Sequence, residues 1–356
     1  MYTISIIGGG PVGLFASIIL ANEGHDVTIY EKRAKYTRQQ VLLIRPDILP
    51  DYIKTEIVGK NKPGCFTSLP PSITQPQCSI YNTKHTDFIS ITTRVLENIL
   101  TKISKKKKVT FIIKDITLND IHKIKKQSDF VLISSGKNEE FIKSIGATYI
   151  TKKNIYNGLG IIFETKEDFS SHVPLLEHTQ HRYRLFATKK NTWYLGVNGS
   201  KEDLNSNKDE IIKNAMLFYR IDKYKIKNSF EIDIPIYKAS KYCSDNIFLV
   251  GDTGSGVHFF SGSGVNTGFL GVLIFLDSIL EKNPCVYFKK HITKLIFETR
   301  KKMKPVFHED TVLDRLCSKY DTEELYDMLE EKKFPKRTEL LNSKEICYLL
   351  GNKSLN

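Results

Sequence analysis

YTISIIGGGPVGLFASIILANEGHDVTIYE, residues 2–31, is the segment from which the fold follows. It opens with a mostly apolar run of strand length, which leads straight into the G-x-G-x-x-G sequence Gly8-Gly9-Gly10-Pro11-Val12-Gly13. Residues 14–23 have helix-forming spacing, and residues 26–30 form a second apolar run that ends on Glu31. A strand, a glycine turn, a helix, a strand and an acid in this order predict the βαβ unit of a dinucleotide site.

Each residue type in this segment has a physical role. Gly8 allows a tight turn off the first strand, Gly10 lets the backbone approach a pyrophosphate, and Gly13 lets the helix pack close to the sheet. The N–H groups at the positive end of the helix then attract an anionic diphosphate. Glu31 is placed to accept hydrogen bonds from ribose hydroxyls and disfavours a ribose phosphate, so FAD or NAD is expected rather than NADP.

Length and charge limit the remaining possibilities. The 356 residues are enough for two domains, and the net charge is +13, with one dense run at Lys105–Lys108. Such a run is typical of a solvated loop, and the chain lacks the interleaved basic and aromatic pattern of a single-strand binder, so no nucleic acid is expected. The apolar stretch 265–280 is interrupted by Asn266, Thr267 and Asp277, which predicts a buried helix and no membrane span.

The six cysteines contain no C-x-x-C pair, so neither a zinc knuckle nor a dithiol redox motif is indicated, and no metal site is expected. A reducing, cytoplasmic setting is the preferred interpretation of such cysteines. The chain starts on a core strand with no basic leader, which argues against a signal peptide. His178 and His181 have H-x-x-H spacing, but the neighbouring sequence offers no third ligand.

The middle of the chain changes character. Strand-like runs at 159–163, 183–187 and 192–197, with a helix near 209–219, predict a mainly antiparallel sheet that carries no nucleotide signature. We therefore expect an α/β fold with three parts: a discontinuous Rossmann-like nucleotide domain over 1–144 plus 236–300, an inserted substrate-facing β-sheet domain over 145–235, and a C-terminal helical segment over 301–356.

A second strand, loop and helix unit begins at residues 246–250. The strand meets Gly251-Asp252, and Asp252 is placed at its end to accept a hydrogen bond from a ribityl hydroxyl. Backbone N–H groups in the glycine-rich stretch that follows are placed to bind a flavin pyrimidine edge or a phosphate; they belong to Gly262, Gly264, Val265 and Asn266. Alone this would be an ordinary βα loop, but with the first unit it predicts one divided nucleotide site.

The two nucleotide segments resemble those of the group A flavoprotein monooxygenases, the aromatic hydroxylase family. The first match is Gly8 to Gly13 with Glu31. The second is similar to the family's G-D motif and the helix after it, and consists of Gly251, Asp252, Gly262, Gly264 and Asn266. The glycine motifs are specific to this superfamily.

Further motifs are similar to the monooxygenase domain of the MICAL proteins. E-K-R at 31–33 and T-R-Q-Q-V-L at 37–42 resemble their E-K-R and S-R-N-N-V-L, and I-S-I at 89–91 with Arg94 resembles their I-S-I-R-x-L. The resemblance adds cofactor-binding candidates, namely Lys32, Arg33, Arg38, Gln39 and Arg94. From the residues alone, Arg33 and Arg38 either reach the adenosine or diphosphate or are surface cations.

The resemblance also implies chemistry. FAD would be held by the discontinuous domain, with NADPH or NADH as a transient reductant. Oxygen would react at flavin C4a, and the resulting hydroperoxide would hydroxylate or oxidise a substrate in a monooxygenase reaction. A small aromatic molecule or a protein side chain is allowed as the substrate, and the oligomeric state is left open.

Departures from the family pattern leave alternatives. Ser135-Gly136 stands where the family has D-G, which puts nicotinamide use in question and allows an FAD-dependent reductase or oxidase.

The loop after Asp252 carries His258 and Phe259 without the family's proline, so His258 either lines the flavin face or is structural. Gln40, like Gln39, replaces an Asn near the isoalloxazine, and His258, Phe259 and Gln40 are the catalytic candidates. A non-catalytic protein that binds FAD and an acidic partner is also allowed.

Overall fold

The computed structural model describes residues 1–58, 65–66, 89–151, 157–166, 182–189, 191–218, 221–233, 236–256 and 263–299. The chain divides into two compact units. The first consists of Met1–Lys62, Ile91–Lys153 and Pro235–Arg300, and the second of Pro63–Ser90, Asn154–Ile234 and Lys301–Asn356. The chain therefore leaves the first unit after Lys62 and again after Lys153, and it returns at Ile91 and at Pro235.

In chain order the described strands are β1 (Thr3–Ile7), β2 (Asp26–Glu31), β3 (Val41–Ile44), β4 (Cys65–Phe66), β5 (Ile89–Thr92), β6 (Thr110–Ile113), β7 (Phe130–Ile133), β8 (Tyr149–Thr151), β9 (Asn157–Glu164), β10 (Arg182–Lys189), β11 (Thr192–Gly199), β12 (Lys225–Asp233), β13 (Tyr237–Ala239), β14 (Cys243–Ser244), β15 (Ile247–Leu249) and β16 (Ser255–Gly256). The described helices are α1 (Pro11–Asn22), α2 (Asp51–Val58), α3 (Thr93–Lys106), α4 (Leu118–Gln127), α5 (Glu139–Ile142), α6 (Lys201–Ser206), α7 (Lys208–Phe218), α8 (Ser263–Ser278) and α9 over 284–299. Short 3-10 turns lie at Pro46–Ile48, Lys143–Ile145 and Gly251–Thr253.

A six-stranded sheet forms the centre of the first unit, in the order β14-β15-β7-β1-β2-β6. Five neighbouring strands, β15 to β6 in that order, pair in parallel, and β14 runs antiparallel at one edge. β1 and β7 are buried from Ile4 to Ile7 and from Val131 to Ile133. Such continuous apolar runs are typical of parallel strands, whose two faces are both covered. The sheet confirms the predicted α/β fold class with a Rossmann-like domain.

α1 is a core helix that is buried from Gly13 to Leu20. It packs against both α3 and α8. Phe15 of α1 stacks on Phe269 of α8, with ring centroids 4.2 Å apart. Since α1 follows the first glycine motif and α8 follows the second, this packing brings the two distant motifs together within the first unit.

A four-stranded antiparallel sheet lies in the second unit, in the order β10-β11-β9-β12. β11 is buried along its whole length, and its Leu195 is paired with Ile161 of β9. The three strands and the helix that the sequence predicted here are present. β12 was not predicted from the sequence. Lys225–Asp233 is largely exposed, and its register shifts between Ile226 and Asn228, which interrupts the alternation of apolar and polar residues that marks a strand.

A disulfide joins Cys243 of β14 to Cys285 of α9, with Cα atoms 5.8 Å apart. The sequence did not predict this bond, because the two cysteines are separated by 42 positions and have no motif spacing. The segment that it closes contains Gly251, Asp252 and the whole of α8. The bond thus brackets the second glycine motif, and the reducing, cytoplasmic setting stays a prediction.

α8 covers the apolar stretch for which the sequence predicted a buried helix. Phe269, Val272 and Phe275 of this helix are fully buried. Among the residues that the structure describes, no helix is long and apolar enough to cross a bilayer.

Candidate cofactor site

Gly8 forms the turn at the carboxyl end of β1. Its φ of +102° lies in the left-handed region that residues with a side chain rarely adopt. A Cβ at this position would also lie 2.7 Å from the Ser135 Cα. The Gly8 N–H donates to the Tyr30 carbonyl oxygen at 2.8 Å, which ties the turn to β2. The turn is therefore closed to residues other than glycine.

The space above Gly10 is open by comparison. Within the described residues, a Cβ on Gly10 would meet one atom only, the Arg38 Nη2 at 3.3 Å. Gly10 is the N-cap of α1 and no side chain caps the helix, while Pro11 occupies a first-turn position where no N–H is needed. Uncapped N–H groups beside an arginine and an open glycine are suited to bind an anion.

Glu31 at the end of β2 is buried and closely hydrogen-bonded. Its Oε2 accepts from the Gly9 N–H at 2.7 Å, and its Oε1 accepts from the Arg33 backbone N–H at 2.9 Å and Nε at 2.8 Å. Burial tends to raise the pKa of Glu31, but the hydrogen bonds from Arg33 and Gly9 outweigh it and bring the pKa below its usual value. Glu31 is therefore an ionised acceptor, and a ribose hydroxyl there would share it with Arg33.

Glu97 of α3 is a site residue that the sequence analysis missed. Its side chain is 0% exposed, it forms an ion pair with Arg38, and its Oε1 lies 3.5 Å from the Arg33 Nη1. Its Oε2 is buried and has no hydrogen-bond partner among the described residues. The available signal was its place beside Leu96 and Leu100 on the buried stripe of α3, where an acid is rare unless it is paired.

The segment from Arg38 to Gln40 is bound to the start of α3. The Thr93 N–H and Oγ1 both donate to the Gln40 carbonyl oxygen, at 2.8 and 2.9 Å, and the Arg94 N–H donates to the Arg38 carbonyl oxygen at 3.0 Å. The Gln40 Oε1 is buried without a partner in the described part of the chain, and Gln39 is half-buried. Arg94 contributes its backbone here.

Three of the four predicted cations are exposed, namely Lys32, Arg38 and Arg94, and Arg33 is half-buried. Arg33 and Arg38 nevertheless form ion pairs with Glu31 and Glu97 beside the first glycine motif. A cofactor-binding role for these two arginines stays a prediction.

Val12 connects the two glycine motifs. A Cβ on Gly268 would lie 2.4 Å from the Val12 Cγ2, and a Cβ on Gly251 would lie 3.1 Å from the same atom. A side chain at either position would come too close to Val12 of α1, so both positions need glycine. Segments separated by more than two hundred residues thus meet, as the divided nucleotide site requires.

Asp252 is exposed by its accessible surface, yet many protein atoms surround its carboxylate and reduce its solvation. Burial raises the pKa of Asp252, and the Arg38 guanidinium opposes this rise. A partly desolvated carboxylate is a strong acceptor for a ligand hydroxyl.

Asn266 has a structural role that the sequence did not predict. Its buried side chain accepts from the Arg45 N–H at 2.9 Å and donates to the Leu43 carbonyl oxygen at 2.8 Å, so it pins β3 to α8. Gly264 and Val265 are half-buried in the first turn of α8, where they offer backbone N–H groups. Gly262, His258 and Phe259 lie outside the described residues, as do His178 and His181.

Two comparisons match a short part of the chain. Residues 6–37 match a family model described as an NAD(P)-binding Rossmann-like domain. A stretch of 31 residues is 64% identical to the NAD-dependent dihydropyrimidine dehydrogenase subunit PreT of Escherichia coli (strain K12). This match covers only 9% of this chain and 8% of the length of that protein.

Solved structures match nearly the whole chain. The flavin-dependent monooxygenase PieE in complex with FAD and substrate is 14% identical with a TM-score of 0.65, over 99% of this chain and 71% of that chain. OxyS anhydrotetracycline hydroxylase from Streptomyces rimosus is 12% identical with a TM-score of 0.62, over 98% and 75%. This chain has the fold of the flavin-dependent monooxygenases.

A third match extends over almost the full length of both proteins. p-Nitrophenol 4-monooxygenase PnpA from Pseudomonas putida DLL-E4 is 12% identical with a TM-score of 0.61, over 99% of this chain and 94% of that chain. At such identities the likeness concerns the fold alone. It does not single out the MICAL proteins among enzymes of this fold.

Asp252→Asn is expected to stabilise the cofactor-free protein at neutral pH. A carboxyl group whose pKa is raised in the folded state contributes its full stability below its unfolded pKa and loses it as the pH rises through the folded value. The advantage of Asp252→Asn over the wild type should be smallest below about pH 4 and should grow with pH to a plateau. Urea unfolding of both proteins between pH 4 and 8 measures it.

The control for this measurement is Asp245→Asn, which removes a carboxylate that is 70% exposed and paired with Lys125. Its difference from the wild type should be small throughout, because exposed ion pairs contribute little. An Asp252→Asn protein that is less stable than the wild type at pH 7 contradicts the assignment of a desolvated carboxylate.

Proposed function

We propose that this chain is an FAD-dependent monooxygenase that takes electrons from NADPH or NADH and uses oxygen to hydroxylate or oxidise a substrate. The observation that supports this most is the packing of Val12 on Gly251 and Gly268, which brings the two glycine motifs close together within the first unit. The fold shared with PieE, whose structure contains FAD, supports this cofactor.

The residues provide the charges and hydrogen-bonding groups that FAD would need. The N–H groups of α1, the open Gly10 and Arg38 would hold the diphosphate. Glu31 would accept from the adenosine ribose, and Asp252 from the ribityl chain. FAD when bound would supply hydride acceptance and oxygen activation, which no amino-acid side chain provides. The protein's own part is to bind and orient the cofactor and to limit access of water.

The proposed substrate class rests on the names of the matched proteins and on the sequence resemblance. The names of the matched proteins mention anhydrotetracycline and p-nitrophenol, so phenolic and polycyclic aromatic molecules are the first class to test. A protein side chain is the alternative that follows from the resemblance to the MICAL proteins. The antiparallel sheet of β9 to β12 is the proposed substrate-facing part of the chain.

Ser135 favours a second candidate, an FAD-dependent reductase or oxidase on the same scaffold. Ser135 follows β7 next to the Gly8 turn, and its buried hydroxyl has no partner among the described residues. The group A enzymes that this chain resembles have an Asp at the position of Ser135. The use of NADPH or NADH is therefore the property in which this chain is most expected to differ from them.

The experiment starts from the cofactor-free protein. We expect FAD to bind when it is titrated in, with quenching of flavin fluorescence, and NADPH or NADH to be oxidised faster in the presence of a suitable phenol. Mass spectrometry should show a product that has gained one oxygen atom. Reduction of the flavoprotein with all oxygen recovered as peroxide across a panel of phenols supports the second candidate. A protein that never takes up FAD excludes both.

A further inference from the structure

Two tyrosines lie on the strands by which the chain leaves and re-enters the first unit. β8 carries Tyr149 and β13 carries Tyr237. The strands pair antiparallel, with Tyr149 opposite Ala239 and Tyr237 opposite Thr151. The tyrosines are therefore diagonal neighbours on one face of the pair, and their ring centroids lie 4.7 Å apart in an edge-to-face arrangement.

Both tyrosine hydroxyls donate to the backbone of the second glycine motif. The Tyr237 hydroxyl donates to the Asp252 carbonyl oxygen at 2.5 Å, and the Tyr149 hydroxyl donates to the Thr253 carbonyl oxygen at 2.9 Å. These are consecutive carbonyl groups in the 3-10 turn Gly251–Thr253. Because the same backbone carries the Asp252 side chain, the two bonds restrict the direction in which its carboxylate points.

The neighbouring backbone is held by the same strand. The Ala239 N–H donates to the Gly254 carbonyl oxygen at 2.8 Å, and the Ser255 Oγ donates to the Tyr237 carbonyl oxygen at 3.2 Å. β13 is thus bonded to the chain on the far side of Thr253. Among the described residues, the two tyrosine hydroxyls are the side-chain groups that donate to the backbone carbonyls of Asp252 and Thr253.

Both phenols are permanent donors. Burial raises the pKa of Tyr149 to about 12 and also raises that of Tyr237, which has the Asp252 carboxylate nearby. A buried hydroxyl is costly unless it is hydrogen-bonded. If the two side chains only filled space, phenylalanine would do so without the cost of burying a hydroxyl. The two hydroxyls are therefore better explained by their hydrogen bonds to consecutive carbonyl groups.

We propose that Tyr149 and Tyr237 are positioning residues of the cofactor site, which hold the Asp252–Thr253 backbone so that the Asp252 carboxylate faces the ribityl chain of FAD. This role rests on the proposed function for its ligand. Since the two donors lie on the exit and return strands, a displacement of those strands would reach Asp252 through these hydroxyls.

The first test measures FAD affinity. Tyr149→Phe and Tyr237→Phe each remove one hydroxyl and keep the ring, and each is expected to raise the Kd for FAD about five- to tenfold. In an Asp252→Ala background the same changes should have no further effect, because the tyrosines act through that carboxylate. An equal loss of affinity in the Asp252→Ala background overturns the proposal.

The second test needs no cofactor. Amide hydrogen exchange over residues 249–256 in the cofactor-free Tyr149→Phe/Tyr237→Phe protein should be faster than in the wild type, since the turn loses both side-chain donors. Tyr2→Phe is the control, because Tyr2 lies at the other end of β1 from Gly8 and should leave this exchange unchanged. Unchanged exchange in the double variant overturns the positioning role, whereas failure of the wild type to bind FAD overturns only the proposed function.

Discussion

A chain carrying Gly10→Val is expected to keep its fold and to bind FAD at least about a thousandfold more weakly than the wild type. Valine is tolerated by the backbone, since Gly10 has φ −73°. Among the described residues its Cβ would meet only the tip of Arg38, at 3.3 Å, and a flexible side chain can move away. The added methyl groups would instead fill the space above the first turn of α1, where a diphosphate would accept its N–H bonds.

The size of this effect follows from the bonds that would be lost. A hydrogen bond to a charged group is worth roughly 1.5 to 3 kcal/mol, so losing two of them amounts to about 4 kcal/mol and three decades in Kd. Isothermal titration of the cofactor-free protein with FAD measures the change. Circular dichroism of the same sample checks that the fold is retained.

Gly10→Ala and Gly271→Ala form a matched pair of controls. A Cβ on Gly271 of α8 would lie 3.2 Å from the Ile292 Cδ1, again the tip of one flexible side chain. We expect Gly10→Ala to weaken FAD binding by an intermediate factor and Gly271→Ala to leave it unchanged. A Gly10→Val protein that purifies fully flavinated would show that the diphosphate does not lie at this turn.

The first glycine motif could be predicted from sequence because its causes are local. Gly8, Gly10 and Gly13 lie within six residues, so their spacing can be recognised in the sequence without knowledge of distant contacts. The second motif was predicted by its strand, its Gly251-Asp252 step and its apolar helix. That the two motifs meet was an inference from fold logic. In the structure Val12 of α1 lies against Gly251 and Gly268, and α1 packs on α8, while a shared cofactor site stays a prediction.

Residues that serve the site from a distance were not predictable in this way. Glu97 lies 59 positions from Arg38 and, in sequence, is one acid in an amphipathic helix. Tyr237 and Tyr149 precede Asp252 and Thr253 by 15 and 104 positions, so no motif spacing exposes their hydrogen bonds. The same holds for Cys243 and Cys285. Long-range pairing in three dimensions decides these roles.

Gly13→Ala is expected to destabilise the protein by more than about 3 kcal/mol, although alanine is the better helix former. Gly13 lies in the first turn of α1, and at an unhindered helical site this change would gain up to about 1 kcal/mol. Here the new Cβ would lie 1.9 Å from the Gly8 carbonyl oxygen and 2.5 Å from the Ser134 Oγ. Such separations are far inside contact distance, so backbone must move.

Neither side of that contact can move cheaply. Gly8 is bonded to Tyr30, and the Ser134 N–H donates to the Ile7 carbonyl oxygen at 2.8 Å, so the turn is fixed by the parallel sheet. α1 is enclosed by α3 and α8, and a shift would open its contacts with both. The steric cost therefore exceeds the gain in helix propensity, and it consumes much of the roughly 5 to 15 kcal/mol by which a domain is stable.

Urea unfolding of the cofactor-free protein measures this loss, with Gly271→Ala as the helical glycine whose substitution should change stability by less than about 1 kcal/mol. The two test variants separate folding from binding. Gly10→Val should lose FAD binding and keep the urea midpoint of the wild type, whereas Gly13→Ala should unfold at a lower urea concentration. Equal midpoints for Gly13→Ala and the wild type would mean that α1 stands further from the Gly8 turn. Its N–H groups would then be too distant from the end of β1 to share one diphosphate with it.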